Sequence, residues 1–278
     1  MKRITYLCLS LLVLTLLFCA CVKQPLPPAD STGSTGASVT GTTVGQTESG
    51  TNKTGPSETV GNTQTVSIED IEGPLAQYVQ TAIKETHERL DIFGNKQQMT
   101  SLRIPKLLPF SEDAVAAQAE IQNKLDSYIT EVRADYAEGL SSSTQFIDYK
   151  AYLNDAIFSL VIQTQSVYDS CSYLVYNFDI ENGKRLNTEE LMNKLQITDY
   201  TEKFTQIAQD AFSKQWGEER DPSANDYDLY VSQKAKNSSK ENIDKAMPYV
   251  TEDGKVMVVL NIYSLAGAEK YPQVLPVS

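Results

Sequence analysis

The stretch AIFSLVIQTQSVY (residues 156–168) decides the fold class. Phe158, Leu160 and Ile162 fall on one side of it, and Ile157, Ser159, Val161 and Gln163 fall on the other. That is the two-residue period of a β-strand, not the 3.6-residue period of a helix. Two more strand-like runs flank it, FIDYKAYLN (146–154) before and SYLVYNFDI (172–180) after. Next comes Glu181-Asn182-Gly183-Lys184, a turn with glycine where a positive φ is wanted. Adjacent runs joined by short connections imply antiparallel pairing.

Helical spacing appears on both sides of this block. Ser111 is a good N-cap, and Glu112 and Asp113 suit a first turn. The stripe that follows is Ile121, Leu125, Tyr128, Ile129, Val132 and Tyr136, and Gly139 and three serines end it. Further on, the spacing predicts a short helix over 188–194. A longer one carries Tyr200, Phe204, Ile207, Ala208, Ala211, Phe212 and Trp216 on one side. PYVTEDGKVMVVLNIYSL (248–265) reads as a hairpin turning at Asp253-Gly254. Upstream, Leu75, Tyr78, Val79, Ala82, Ile83 and Leu90 share a helical stripe behind Gly73-Pro74, so a first helix is expected there, ending at Gly94-Asn95. SLRIPKLLPF (101–110) is expected to be extended, because Pro105 and Pro109 exclude a helix. The sum is an α+β domain over 67–278, an antiparallel sheet of hairpins packed with several helices.

The first 66 residues belong to a different class of sequence. Met-Lys-Arg precedes an apolar run from Ile4 to Phe18, and Phe18-Cys19-Ala20-Cys21 follows. A basic start, a short apolar core and a small residue before a cut describe a secretory signal peptide over 1–20. The four residues at its end resemble the bacterial lipobox, in which the cysteine after a small residue becomes thioether-linked to diacylglycerol. Ala20 fits the small position and Cys21 the lipidated one, with two or more acyl chains making a stable anchor. A retained anchor helix is the rival reading. From Ser31 to Val66, serine, threonine and glycine supply 23 of 36 residues, with no aromatic among them. Such a segment buries too little apolar surface to offset its ordering entropy, so 21–66 is expected to be a lipidated, disordered tether. Its coil reach is about 35–40 Å, and about 150 Å when fully extended.

The chain has 278 residues and a formal charge of −12. Such a charge argues against nucleic acid and anionic lipid as ligands, and it reads either as solubility alone or as a surface that tolerates or attracts a cationic partner. His87, within KETHERL (84–90), is the one histidine and is expected on the surface of the first helix. One histidine gives zinc triads and histidine-activated nucleophiles little to build on, so neither a metal nor a cofactor is expected. Glu189-Glu190 and Glu218-Glu219 are neighbours on helices and do not face each other, so they read as solvated charge. Cys171 would be the one further cysteine after Cys21 in the mature chain, and it is expected to be a buried small hydrophobe at a strand start. Tyr168, Asp169, Ser170 and Tyr173 form the candidate ligand-facing loop.

IPKL (104–107) ahead of a long helix, YLNDAIFSLVIQT (152–164) and YNFDIENGKRLNTEELM (176–192) resemble the outer domain of the RsiV anti-sigma factor. Related domains stand beside peptidoglycan (polysaccharide) deacetylase domains. The resemblance runs from about Ser101 to Val277. Family members often carry a GGAHG loop where this chain reads SVYDSCSY (166–173). With only Met1 to Arg3 ahead of the apolar run, an anti-sigma role is not expected. The anchor, the tether and the histidine-poor domain together lead to the expectation of a non-catalytic binding or sensing lipoprotein at the outer face of the bacterial membrane. The resemblance implies a domain of unknown function. Its implied ligand is a cell-wall glycan or a cationic wall-lytic protein such as lysozyme. The alternative is a peptidoglycan-acting hydrolase or an accessory protein of a deacetylase. A solute-binding transporter subunit is disfavoured, because that class usually has two α/β lobes.

Overall fold

A computed structural model of the protein describes residues 62–66, 71–90, 93–167, 171–267 and 269–277. The expected signal peptide, Cys21 and the tether up to residue 61 lie outside these residues. The chain runs β1 (Asn62–Val66), a 3-10 turn (Gly73–Gln77), β2 (Val79–Leu90), β3 (Lys96–Leu107), α1 (Glu112–Ala137), β4 (Thr144–Asn154), β5 (Ile157–Ser166), β6 (Ser172–Asp179) and β7 (Lys184–Leu186). It continues with α2 (Thr188–Lys194), α3 (Tyr200–Trp216), α4 (Tyr227–Asn237), α5 (Lys240–Ile243), β8 (Met247–Val250), β9 (Val256–Tyr263) and β10 (Lys270–Pro276). The class is α+β, as expected.

Seven strands form one sheet in sequence order, β1 to β7. The sheet is not made of hairpins alone. β3 and β4 pair in parallel through Ser101↔Phe146 and Leu102↔Ile147, and α1 is the crossover between them. A parallel neighbour needs such a crossover, and the long helix supplies it. α1 begins where the Ser111 hydroxyl accepts from the Ala114 amide over 3.1 Å. Its stripe of Ile121, Leu125, Ile129, Val132 and Tyr136 is buried against Leu102, Ile104, Ile147, Tyr149, Leu160 and Ile162. Full burial of each such aliphatic side chain contributes about 1.5–3 kcal/mol. Tyr128, counted in that stripe by its spacing, is exposed.

The expected first helix is a strand. β2 pairs with β3 along nearly its whole length, and Gly94, at φ +80°, sits in their hairpin turn rather than at a helix end. β1 pairs with the far side of β2, from Asn62↔Arg89 to Val66↔Glu85. The last five residues of the expected tether are therefore ordered by a backbone ladder, which needs no apolar side chain. Pro105 lies within β3 opposite Thr81. The ladder loses register between Thr81 and Ile83, a bulge that accommodates the missing N–H.

A second sheet has the order β10-β9-β8. α3 and α4 cover it, with Phe204, Ala208, Phe212 and Tyr230 buried among Val258, Leu260 and Ile262. Its hairpin turns at Asp253-Gly254, as the sequence predicts, with Gly254 at φ +77°. β8 lies against the face of β4, β5 and β6 opposite α1. The central strand β5 is thus covered on both faces, and seven of its ten residues are buried.

Candidate functional site

The expected ligand-facing loop does not stand as a unit. Tyr168, Asp169 and Ser170 lie outside the described residues. Tyr173 belongs to β6 rather than to a loop and is 8% exposed. It shares strand parity with Val175 and Asn177, the side turned toward β8. Burial pushes its phenol pKa up, and the nearby Cys171 adds to the rise. On the same seam Tyr152 of β4 stacks on Tyr249 of β8, with ring centroids 5.7 Å apart and planes 16° apart. Burial raises Tyr152 to about 12. It raises Tyr249 further, with Tyr152 and Tyr173 contributing. Neither the Tyr152 nor the Tyr249 hydroxyl has a hydrogen-bond partner among the described residues.

His87 is not on a helix surface. It is 3% exposed on β2, with its Nε2 3.0 Å from Glu85 Oε2. Arg133 of α1 grips the same carboxylate, Nε donating to Oε2 over 3.2 Å and Nη2 to Oε1. The His87 ring tilts against Tyr136 at 5.0 Å, and the Tyr136 hydroxyl donates to Thr100 Oγ1. Burial pushes the Glu85 pKa up, but the hydrogen bonds and charges of Arg133 and His87 outweigh it, so the carboxyl sits below its ordinary value. This arrangement clamps α1 to β2. Glu85 and His87 are buried in it, while the Arg133 side chain is 45% exposed.

Open space lies at the other end of the sheet, where β7 stops after three residues. Asn187 caps α2 there. Its side chain accepts from the Glu190 amide over 2.9 Å, while Glu190 Oε2 accepts from the Asn187 amide over 3.0 Å. This capping box turns the chain out of the sheet directly after Leu186. β7 consequently covers only Asn177 to Asp179 of the eight-residue β6. A groove of about 450 Å³ lies beside the uncovered part, lined by Val175, Asn177, Arg185 to Thr188, Glu190 and Ala246 to Pro248.

The polar groups of the groove also hold its walls. Asn177 Nδ2 donates to Pro248 O over 2.9 Å, and the Thr188 hydroxyl donates to Ala246 O over 3.2 Å. The Arg185 guanidinium lies 4.8 Å over the Tyr176 ring and donates to Glu120 of α1 over 2.9 Å. Lys184 holds Glu190 below the usual carboxylate range, chiefly through their hydrogen bond. The groove thus presents apolar side chains, backbone and paired charges, a surface suited to binding. One sequence signal could have located it, the mismatch between the long run SYLVYNFDI and the short KRL followed at once by a cap-forming NTEE.

Cys171 is half-buried rather than fully buried. Its thiol donates to Gln165 Oε1 over 3.3 Å and accepts from Gln163 Nε2 over 3.2 Å. Among the described residues, no group of three or more His, Cys, Asp or Glu side chains is placed to hold a metal ion.

No family model matches the chain, and no curated protein matches it in sequence. Among solved structures it is similar to a DUF3298 family protein of Pseudomonas aeruginosa PAO1, at 12% identity and a TM-score of 0.31. The match covers 78% of this chain and 90% of that one.

Proposed function

We propose that this protein is a lipid-anchored surface protein whose α+β domain binds, without catalysis, a cationic wall-lytic protein of the lysozyme kind. The carrying observation is the outer face of α1. Glu112, Asp113, Asp126 and Glu131 are exposed along it, and Glu138 follows at its C-cap. Of the two cations in the helix, Arg133 is drawn to Glu85, which leaves Lys124. The excess is general. Four of the 24 basic and three of the 36 acidic residues precede Asn62, so 20 basic stand against 33 acidic from there on. A potential of that sign attracts basic proteins and repels polyanions.

The anchor in this reading is Cys21. Among the described residues no helix is long and apolar enough to cross a membrane. The test is calorimetry of the full chain with lysozyme at low and high salt. Binding that weakens steeply with salt is expected, as charge-driven association is screened. Absence of binding at millimolar lysozyme removes the reading. Release of sugar or acetate from wall fragments by the purified chain overturns its non-catalytic part.

A further inference from the structure

We propose that the uncovered edge of β6 is a strand-addition site for an extended peptide with alternating apolar and basic side chains. The site goes beyond the envelope reading, because it depends neither on the anchor nor on lysozyme.

The hydrogen-bonding parity of β6 is fixed at its end, where the Ile180 amide donates to Ala156 O on the β5 side. Backbone groups alternate sides along an antiparallel strand. Leu174 and Tyr176 therefore bond β5, while the N–H and C=O of Tyr173 and Val175 point to the other side. β7 begins to cover that side only at Asn177. Strand edges are ordinarily guarded, and three neighbouring edges here are. The outer edge of β10 carries Pro272 and Pro276. The outer edge of β8 is filled by Asn177 and Ser159, which bond Pro248 O and the Val250 amide. β7 is three residues long and carries Lys184 and Arg185. The β6 segment SYLVY (172–176) has neither a proline nor a charge.

The groove lies where a strand continuing β7 would run, with Thr188, Met247 and Pro248 among its walls. An incoming strand would turn alternate side chains toward Val175, Leu186 and Met247, an apolar floor. The surroundings are acidic. Glu120 of α1 and Glu189 and Glu190 of α2 outnumber Lys184 and Arg185, which are already paired to Glu190 and Glu120. Basic side chains on the alternate positions complement that charge.

The test is hydrogen–deuterium exchange of the full chain, resolved to single amides, with a capped heptapeptide of alternating lysine and valine. Saturable slowing of exchange at Tyr173 and Val175 is expected, with Leu174 and Tyr176 unchanged because β5 already protects them. Matched glutamate–valine and lysine–serine peptides should bind at least about tenfold more weakly, since strand addition draws specificity from alternate side chains. Val175→Pro removes an edge-directed N–H without touching the β5 ladder and should abolish the protection. Met247→Arg, at a half-buried wall position, should weaken the lysine–valine peptide whether or not the proline variant folds. The proposal is overturned by no protection at millimolar peptide or by equal binding of all three peptides. It is also overturned if concentration-dependent self-association protects the same amides without peptide, which would make a second copy the occupant.

Discussion

The Ser159 hydroxyl donates to Asn177 Oδ1 over 2.8 Å, and the same two side chains hold the free edge of β8. Asn177 reaches Pro248 O, and Ser159 accepts from the Val250 amide over 3.2 Å. Two polar side chains on neighbouring strands thus stand in for a missing backbone partner, and the second sheet is fixed across the first. All the groups involved are buried, so each must find its partner within the protein.

Removing either side chain should therefore cost more than an ordinary hydrogen bond. Asn177→Ala strands the Ser159 hydroxyl and the Pro248 carbonyl, and leaving a buried polar group unpaired costs about 1–3 kcal/mol. Ser159→Ala should cost a similar amount. The double variant should lose clearly less than the sum, because the partners form one network. Urea unfolding of the four proteins measures the coupling. Strict additivity would show that the two residues act independently.

The sequence and the structure agree where burial is apolar and part where burial is polar. α1 was legible because its inward positions are Ile121, Leu125, Ile129 and Val132 behind a serine cap. In β2 the inward positions include Thr81, Glu85 and His87, so the two-residue period is hidden from any count of apolar residues. The Tyr149 hydroxyl, 2.7 Å from Thr81 Oγ1, and Arg133 satisfy those positions, and both come from distant segments. The surviving apolar residues of β2 happened to match a helix. Similarly, the groove arises from a strand that ends early, and pairing that fails to occur leaves little trace in composition.

Glu85 should make stability sensitive to acid. Its carboxyl sits below the ordinary 4.5, where the hydrogen bonds and charges of Arg133 and His87 overcome burial. A group with a depressed folded-state pKa stabilises fully above its unfolded value and loses that contribution as pH falls through the folded one. Glu85→Gln should therefore be less stable than wild type at pH 7, with the gap closing as the pH drops below about 4.5. Urea midpoints measured from pH 7 to pH 3 give the comparison. A gap constant across that range would mean that the Glu85 charge is not what clamps α1.

Cys21 carries the anchor prediction. Cys21→Ser should leave a chain that takes up no labelled fatty acid, because the thiol that accepts the lipid is gone. Cys19→Ser should leave the labelling unchanged. Equal labelling of the Cys21→Ser chain, or an intact unmodified N-terminus by mass spectrometry, would overturn the lipoprotein assignment.

Gly183 couples the β6–β7 turn to the start of α1. It adopts φ +72°, and a Cβ there would lie 2.6 Å from Ser111 Cβ. Ser111 is the residue whose hydroxyl caps α1, and Asp113 in the first turn accepts from the Arg185 amide over 2.7 Å. Gly183→Ala must therefore adopt a left-handed conformation, at about 1–2 kcal/mol, and also displace the cap, at about 1 kcal/mol. Gly254→Ala faces the same backbone penalty, but its added Cβ would meet only the Asn154 side chain, at 3.4 Å, so it should lose the smaller amount. Ser111→Gly in the Gly183→Ala background should recover part of the loss, because it removes the clashing Cβ and glycine is itself a tolerable cap. Thermal unfolding of the three variants distinguishes these terms. If Gly183→Ala and Gly254→Ala lose equal stability, the contact between this turn and the helix cap contributes nothing.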